Sequence, residues 1–307
     1  MLWCAVSYVP FLWHPLVLVH DAGDKSVPGT YSYVDEGQRV EKAEFDARNR
    51  ELKAAGKPLA RGEPVNPIYF QAPHEVGRAF YTAFTTPPER DGDLWLHESL
   101  LQSIKVIFWG FFWSALFGIP LGVLCGTFSL FARGSEPFVD FVRYMPAPVF
   151  GALAVTIFGL GDEPKVAIIF IGTFFQMVLV VANTTRSVDV SLMHAAQTLG
   201  ANYRQLIFNV VVPGALPALY RDMRILLGWA WTYLIVAEYI GASSGITYFI
   251  NQQAKYRIYD SVFAAIIMIG IMGFTTDRIL DWIGRQIFPW QKTAKPGLMR
   301  SIAIARR

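Results

Sequence analysis

The 307 residues of this chain are 53% hydrophobic, 15% aromatic and only 17% charged. A soluble domain ordinarily carries about a quarter charged residues, so this balance indicates a membrane protein. The net charge of +3 is too small to suggest a nucleic-acid partner. Cys4 and Cys125 both lie in apolar runs, so they predict neither a disulfide framework nor a cysteine-based metal site.

The first 98 residues divide by composition into three parts. Residues 1–20 are apolar and aromatic and predict a first transmembrane helix; they lack the basic start and cleavage site of a signal peptide. Residues 21–64 are rich in charge and contain a predicted solvated helix near 41–55, so we expect a periplasmic insertion. Residues 65–98 predict an interfacial amphipathic helix and a linker, because large apolar residues recur every four positions from Val76.

Residues 99–290 predict a membrane core of five further helices. The predicted spans lie at 99–131, 138–160, 166–181, 218–240 and 262–283. The expected fold is therefore an all-α polytopic membrane protein with about six transmembrane helices. The tail, residues 291–307, is basic and has no acidic residue, so it is predicted to be cytoplasmic. Six spans then place the N-terminus in the cytoplasm as well.

Small residues repeat every four positions along the predicted second span. They are Gly110, Ser114, Gly118, Gly122 and Gly126. Such a stripe allows another helix backbone to approach closely, so it predicts a site of helix packing. The sequence leaves open whether the packed helix belongs to the same chain or to a second copy.

One stretch between the fourth and fifth spans, residues 189–213, does not look like membrane. Its apolar and small residues fall on one face of a short helix: Leu192, Ala195, Ala196 and Leu199. Asp189 suits the N-cap of this helix, and Gly200 suits the position just after its end. Asn202 suits the cap of a second short helix, which Pro213 limits. Two short helices with small residues on an exposed face predict a docking surface.

No catalytic or nucleotide-binding pattern occurs in the chain. The only Gly-Lys pair, Gly56-Lys57, is followed by Pro58, and a phosphate-binding loop would need glycine where Glu51 stands. Neither a His-Glu-x-x-His pattern nor a Gly-x-Ser-x-Gly elbow is present. The sequence therefore predicts no enzyme, no catalytic residue, no metal site and no cofactor of its own.

Several polar or helix-bending residues of the predicted spans are candidates for lining a solute path. They are Glu238, Gln176, Asn183, Thr232, Tyr233, Pro146 and Pro148. Glu238 is the sharpest candidate, because a charge within a membrane is costly and commonly functional. The alternative is a buried hydrogen bond that holds Gly241 and the turn after it. The two prolines predict either a gate or a simple kink.

The 189–213 stretch also carries a family resemblance. His194-Ala195-Ala196, then Gly200, then Val210-x-Val212-Pro213 is similar to the Glu-Ala-Ala loop of ABC importer permeases. The wider sequence resembles the branch that imports nitrate, bicarbonate, taurine and aliphatic sulfonates, through FGIPLGVLCG, RYMPAP, RILLGWAW and VAEYIGASSGITYFI. The resemblance covers roughly residues 65–290. His194 stands where the motif has Glu, which puts in doubt any charge contact that the Glu would make.

The resemblance implies a type I permease fold and ATP-driven import of a small solute, expected to be an anion, by alternating access. The docking residues would be Leu192, His194, Ala195, Ala196, Leu199, Gly200 and Ala201. The implied partners are a separate ABC ATPase subunit in two copies, which binds ATP and Mg, a periplasmic substrate-binding protein, a second permease copy and membrane lipid. The implied location is the bacterial inner membrane. The alternative is an ATP-independent secondary transporter or channel, which would be expected to show internal repeats.

Overall fold

The structure, a computed structural model, describes residues 16–23, 34–65, 71–87, 94–240 and 244–290. The chain divides into two compact units. One comprises residues 1–98 and 249–268, and the other comprises residues 99–248 and 269–307. The described residues are mostly helical, which confirms the predicted fold class, and the first unit adds one small sheet.

The sheet of the first unit has three strands, β1 (Leu16–Asp21), β2 (Arg39–Glu41) and β3 (Arg61–Val65), in the order β2-β1-β3. All pairs are antiparallel, and Leu16 of β1 lies opposite Glu41 on one side and Val65 on the other. Helix α1 (Lys42–Ala54) follows β2 directly. Its buried Phe45 and Leu52 share a hydrophobic core with the strand residues Val17 and Val19. The predicted insertion is therefore part of a folded β-β-α-β unit that includes Leu16–Asp21 before it, and the helix predicted near 41–55 is confirmed.

The predicted first transmembrane helix over residues 1–20 is wrong at its end. Leu16–Asp21 form the central strand of the sheet, and residues 1–15 lie outside the described part of the chain. The physical reason is tertiary. The β-branched Val17 and Val19 are buried where two strands flank β1, and such residues suit a pleated, paired surface.

Helix α2 (Pro73–Thr85) confirms the amphipathic helix predicted within residues 65–98. Pro73 begins the helix, where its missing N–H leaves nothing unpaired. Val76 and Ala79 are buried and pack with Phe263 and Ala264. The location of α2 at a membrane interface stays a prediction.

The other helices occupy the predicted core. They are α3 (Leu96–Thr127), α4 (Ser129–Arg143), α5 (Gly151–Phe158), α6 (Glu163–Arg186), α7 (Val190–Thr198), α8 (Tyr203–Leu206), α9 (Val212–Ile240), α10 (Ile246–Lys255) and α11 (Tyr259–Ile287). A 3-10 turn, Ala147–Phe150, precedes α5, and a π-helical turn, Ile207–Val211, joins α8 to α9. Helix α10 lies between the predicted fifth and sixth spans.

Three helices of the described chain, α3, α6 and α11, are long and apolar enough to cross a membrane. Helix α9 has the predicted position and 29 residues, but it falls outside this set. It carries four charged residues, Arg221, Asp222, Arg224 and Glu238. The predicted total of six spans is thus not confirmed.

The predicted third span, residues 138–160, is not one continuous helix. It is divided between α4 and the segment Ala147–Phe158, which meet at a bend of 85°. Pro146 lies in the break in an extended conformation. Proline cannot donate an N–H and restricts the residue before it, so α4 ends ahead of it. If the two bent helices are counted as one span, they are also apolar enough to cross a membrane, and the described chain then has four candidate spans.

The stripe of small residues on α3 packs against α6 of the same chain. A Cβ at Gly110 would lie 2.6 Å from Ile169 Cγ2, and one at Gly126 would lie 2.5 Å from Thr185 Cβ. The contacted residues of α6 also recur every four positions: Ile169, Thr173, Met177, Val181 and Thr185. At the second position of the stripe, Ser114 Oγ lies 2.5 Å from Thr173 Oγ1, and both residues are buried. The row of larger side chains on α6 therefore fits into the groove of small residues on α3, and the two helix backbones approach closely.

Replacing Gly122 by alanine is expected to destabilise the protein. The added Cβ would lie 2.6 Å from Val181 Cβ and 2.7 Å from the Val178 carbonyl oxygen, so the helices must separate. Overpacking of this kind costs about 1–3 kcal/mol. Thermal unfolding in detergent, followed by tryptophan fluorescence, measures the loss. The matched control is Gly134→Ala on α4, where the Cβ meets nothing within 4 Å. Equal melting temperatures for the two variants would contradict the tight packing.

Candidate docking site

The predicted docking stretch, residues 189–213 (hereafter the docking element), begins with a capped helix. The Asp189 carboxylate accepts the Ser191 backbone N–H at 2.8 Å, which confirms the predicted N-cap of α7. At the other end, Gly200 has φ +81°, a left-handed conformation that favours glycine. The Gly200 N–H donates to the Gln197 carbonyl, and the Ala201 N–H donates to that of Ala196. These two bonds form a Schellman motif, so sequence-local chemistry fixes both ends of α7.

The second short helix, α8, is capped in the same local way. Asn202 Oδ1 accepts the Gln205 N–H at 2.9 Å, and Gln205 Oε1 accepts the Asn202 N–H at 2.9 Å. This reciprocal capping box confirms the cap predicted at Asn202. Pro213 does not end this helix as predicted. Helix α8 ends at Leu206 and continues through the π-helical turn into α9, whose second residue is Pro213.

The outer face of α7 is open. None of its side chains is buried. Leu199 is 88% exposed and Leu192 is 52% exposed. His194 and Ala195 are also exposed, while Ala196 is half-buried. The structure thus brings the predicted docking residues together on one accessible element, with Gly200 and Ala201 at its end.

The inner side of the docking element is anchored in the second unit. Val188 belongs to the buried cluster that also contains Val181 of α6 and Ala215 of α9. Leu206 and Val211 are buried as well. Apolar anchors on both sides therefore hold an element whose capped helix α7 stays exposed.

The N-cap at Asp189 also depends on pH. The Ser191 hydroxyl, followed by the Ser191 N–H, holds the pKa of the Asp189 carboxyl below its usual range, because both donate to the charged form. The carboxylate therefore contributes stability above the ordinary pKa of Asp. That contribution is lost as the pH falls through the lowered pKa.

Glu238, the sharpest path candidate, is fully buried near the end of α9. Its Oε1 accepts the Ser103 hydroxyl of α3 at 2.5 Å, and its Oε2 accepts the Thr247 N–H at 2.8 Å. Ser103 Oγ in turn accepts the Ile246 N–H at 2.9 Å. The carboxylate is thus held in buried hydrogen bonds at the start of α10, while Gly241, which the alternative interpretation named, lies outside the described residues.

The other path candidates are spread over several elements. Asn183 and Thr232 are exposed, and Gln176 and Tyr233 are half-buried, with the Tyr233 ring against Gly172. Asn183 Oδ1 accepts from Arg186, whose guanidinium also reaches the Cys125 carbonyl and Glu136. Pro146 and Pro148 lie at the break between α4 and α5. Among the described residues, no hydrogen bond joins these candidates to one another or to Glu238.

Sequence reasoning missed a second buried ionisable group, Lys165. It is fully buried in the first turn of α6, and its ammonium donates to the Ser244 carbonyl at 3.0 Å and hydroxyl at 2.8 Å. Asp162 lies 3.6 Å away. The residues before it, Gly161-Asp162-Glu163-Pro164, read as a polar loop, so only the tertiary fold shows that Lys165 is inside.

A polar link between α9 and α11 was missed as well. The Arg224 guanidinium donates to Asp277 at 2.8 Å and to Asp281 at 2.5 Å. The Tyr220 hydroxyl donates to the Leu280 carbonyl at 2.7 Å. The four-residue spacing of Asp277 and Asp281 places both on one face of α11, which is the available sequence signal. No group of three or more His, Cys, Asp or Glu in the described chain is placed to bind a metal ion.

The sequence of this chain matches a known family and known transport proteins. The family model described as binding-protein-dependent transport system inner membrane component matches residues 118–289. The taurine transport system permease protein of Escherichia coli K12 is 30% identical over 226 residues, covering 74% of this chain and 82% of that protein. A permease protein of Bacillus subtilis 168 named for aliphatic sulfonates is 31% identical over 182 residues, covering 58% and 66%.

The fold has a solved counterpart. A chain in an inward-facing structure of the MetNI methionine ABC transporter superposes with a TM-score of 0.57 at 20% identity. The superposition covers 63% of this chain and 97% of that chain. At this identity the likeness shows the shared fold alone.

Replacing Asp189 by alanine is expected to loosen the first turn of α7, because the Ser191 N–H loses its acceptor. Asn is an equally good N-cap, so Asp189→Asn is the matched control. Hydrogen exchange of the Ser191 amide in the purified protein measures the effect. Faster exchange in the alanine variant alone is the expected result, and unchanged exchange would contradict the cap.

Proposed function

This chain belongs to the family of inner-membrane components of binding-protein-dependent transport systems, and we propose that it moves a small anion into the cell as the permease of an ATP-driven importer. The observation that carries the proposal is the docking element. It is an exposed pair of capped short helices between two long helices of the matched region. A chain with no phosphate-binding loop needs such a contact to receive the energy of ATP hydrolysis.

The partner at the docking element would be an ABC ATPase subunit. Exposed Leu192 and Leu199 offer apolar area, and the small Ala195 and Ala196 allow the partner to approach the α7 backbone. His194, exposed on the same helix, would supply a polar contact different from that of the Glu in the family motif. Each chain has one docking element, which favours a complex of two copies of this chain and two ATPase subunits. The solute path would lie between the two copies of this chain.

The substrate class is proposed from the relatives. The two reported above are named for taurine and for aliphatic sulfonates, so a small sulfonate or a similar anion such as nitrate or bicarbonate is the expected solute. A periplasmic substrate-binding protein would deliver it and supply most of the selectivity. Gln176, Asn183, Thr232 and Tyr233 have exposed or half-buried side chains that could line the path.

Transport would follow alternating access driven by the ATPase pair. The break at Pro146 and Pro148 between α4 and α5 offers a place where the helical packing could change without breaking a continuous helix. The chain itself would perform no catalysis, and ATP and Mg would stay with the partner.

Replacing Leu199 by aspartate is expected to weaken ATPase binding. Leu199 is 88% exposed on the docking element, and the substitution puts a charge in place of its apolar side chain. Co-purification of the ATPase subunit from the cognate operon should fall at least about tenfold, as for loss of a buried apolar contact. The matched control is Leu59→Asp, an exposed leucine of the first unit. Full co-purification and full uptake in the Leu199 variant would refute the docking assignment and favour an ATP-independent transporter.

The same proposal implies a topology, in which residues 21–98 lie outside and the docking element lies in the cytoplasm. A cysteine replacing the exposed Lys53 should react with a membrane-impermeant maleimide in intact cells. A cysteine replacing the exposed Gln197 of α7 is the matched control and should react only after the cells are permeabilised. The opposite pattern of labelling would reverse the topology.

A further inference from the structure

The start of α10 receives polar contacts from three different helices of the second unit. Ser103 on α3 accepts the first N–H of α10, and Glu238 on α9 accepts the second. Lys165 on α6 donates to the carbonyl and hydroxyl of Ser244, two residues before α10 begins. All three side chains come from residues with no exposed surface. A short backbone segment is therefore fastened from three sides.

This arrangement solves a local problem of α10. The first N–H groups of a helix lack intrahelical partners, and leaving them unpaired away from water is costly. The residue before α10 is Gly245, which has no side chain to cap it, and its φ of +108° is strained for other residues. The Glu238 carboxylate fills the space where a Cβ of Gly245 would lie. A tertiary cap thus replaces the local one, so the beginning of α10 depends on Ser103 and Glu238.

Helix α9 connects this cap to the docking element. Within the docking element, α8 leads through the π-helical turn into α9, and Glu238 is the third residue from the far end of α9. With a rise of 1.5 Å per residue, 29 residues span about 43 Å. A displacement of α7 and α8 along this rigid helix would therefore reach the cap.

We propose that Ser103 and Glu238 are positioning residues for transport, because their hydrogen bonds anchor the far end of α9 to the start of α10. The inference rests on the proposed function for the movement that α9 transmits. The Glu238 carboxylate acts through these hydrogen bonds and does not contact the solute. Lys165 supports the same segment from α6.

The cap is tested first by hydrogen exchange of the Ile246 and Thr247 amides in the purified permease. Ser103→Ala and Glu238→Ala remove acceptors, and exchange should become about tenfold faster, as expected for a buried N–H left unpaired. Glu238→Gln keeps an oxygen for the Thr247 N–H, and its amide can donate to Ser103 Oγ, so exchange should stay near that of the wild type. Ser114→Ala is the matched control, a buried serine on the same helix that bonds to Thr173. Unchanged exchange in both alanine variants would overturn the inference.

Coupling is tested in nanodisc complexes of the permease with its ATPase subunits. A cysteine replacing Thr232 reports through its maleimide reactivity, which should change when ATP and vanadate trap the complex. Ser103→Ala should shrink this change severalfold while ATP hydrolysis persists, and Glu238→Gln should retain it. The opposite outcome is that the Glu238→Gln variant loses the change in cysteine reactivity as completely as Glu238→Ala while its own amide exchange stays normal. That result would show that the charge of Glu238 matters, and it would overturn the positioning role. No change in the complex that carries only the Thr232 cysteine would count against the proposed function, whatever the exchange results.

Discussion

The second unit depends on the direct contact between α3 and α6. Because Gly110, Gly122 and Gly126 have no side chains, the carbonyls and side chains of α6 lie where a Cβ would otherwise stand. This contact fixes the register of the two helices along their length. It therefore positions Ser103 and Lys165 near one end of the pair and Arg186 at the other, where α6 leads into the docking element. A single interface therefore sets both ends of the helix pair.

Helix α9 is held differently, through polar groups placed on an apolar helix. Arg224 and Tyr220 tie its first half to α11, and Glu238 ties its end to α3 and α10. Polar contacts in an apolar environment leave few acceptable alternatives, since an unpaired partner there is costly. Such contacts favour discrete arrangements over gradual deformation. That property suits a helix proposed to transmit movement between a docking element and a distant anchor.

The features that could be predicted from the sequence are those decided within a few residues. Asp189, Gly200 and Asn202 were identified because caps and left-handed glycines act locally. The stripe on α3 was visible as a period of four, but a period does not name the helix that fills it. The strand Leu16–Asp21 was misread because an apolar run suits either a strand or a helix, and its pairing with distant strands decided the matter. Ser103 and Lys165 carry no local signal for their role at α10, since the partners they hold there, Ile246 and Ser244, lie more than 75 residues away.

The docking element combines a rigid backbone with an open surface, and this combination explains how His194 can replace the Glu of the family motif. The backbone of α7 is set by Asp189, by the Schellman bonds around Gly200 and by buried anchors such as Leu206, none of which involves position 194. A substitution there changes the charge presented to a partner but not the shape. Pre-organised helices lose little conformational entropy on binding, so exposed apolar residues such as Leu199 can supply affinity without help from one ion pair. We therefore expect the shape of the docking element, more than the charge at position 194, to decide how it meets the proposed ATPase.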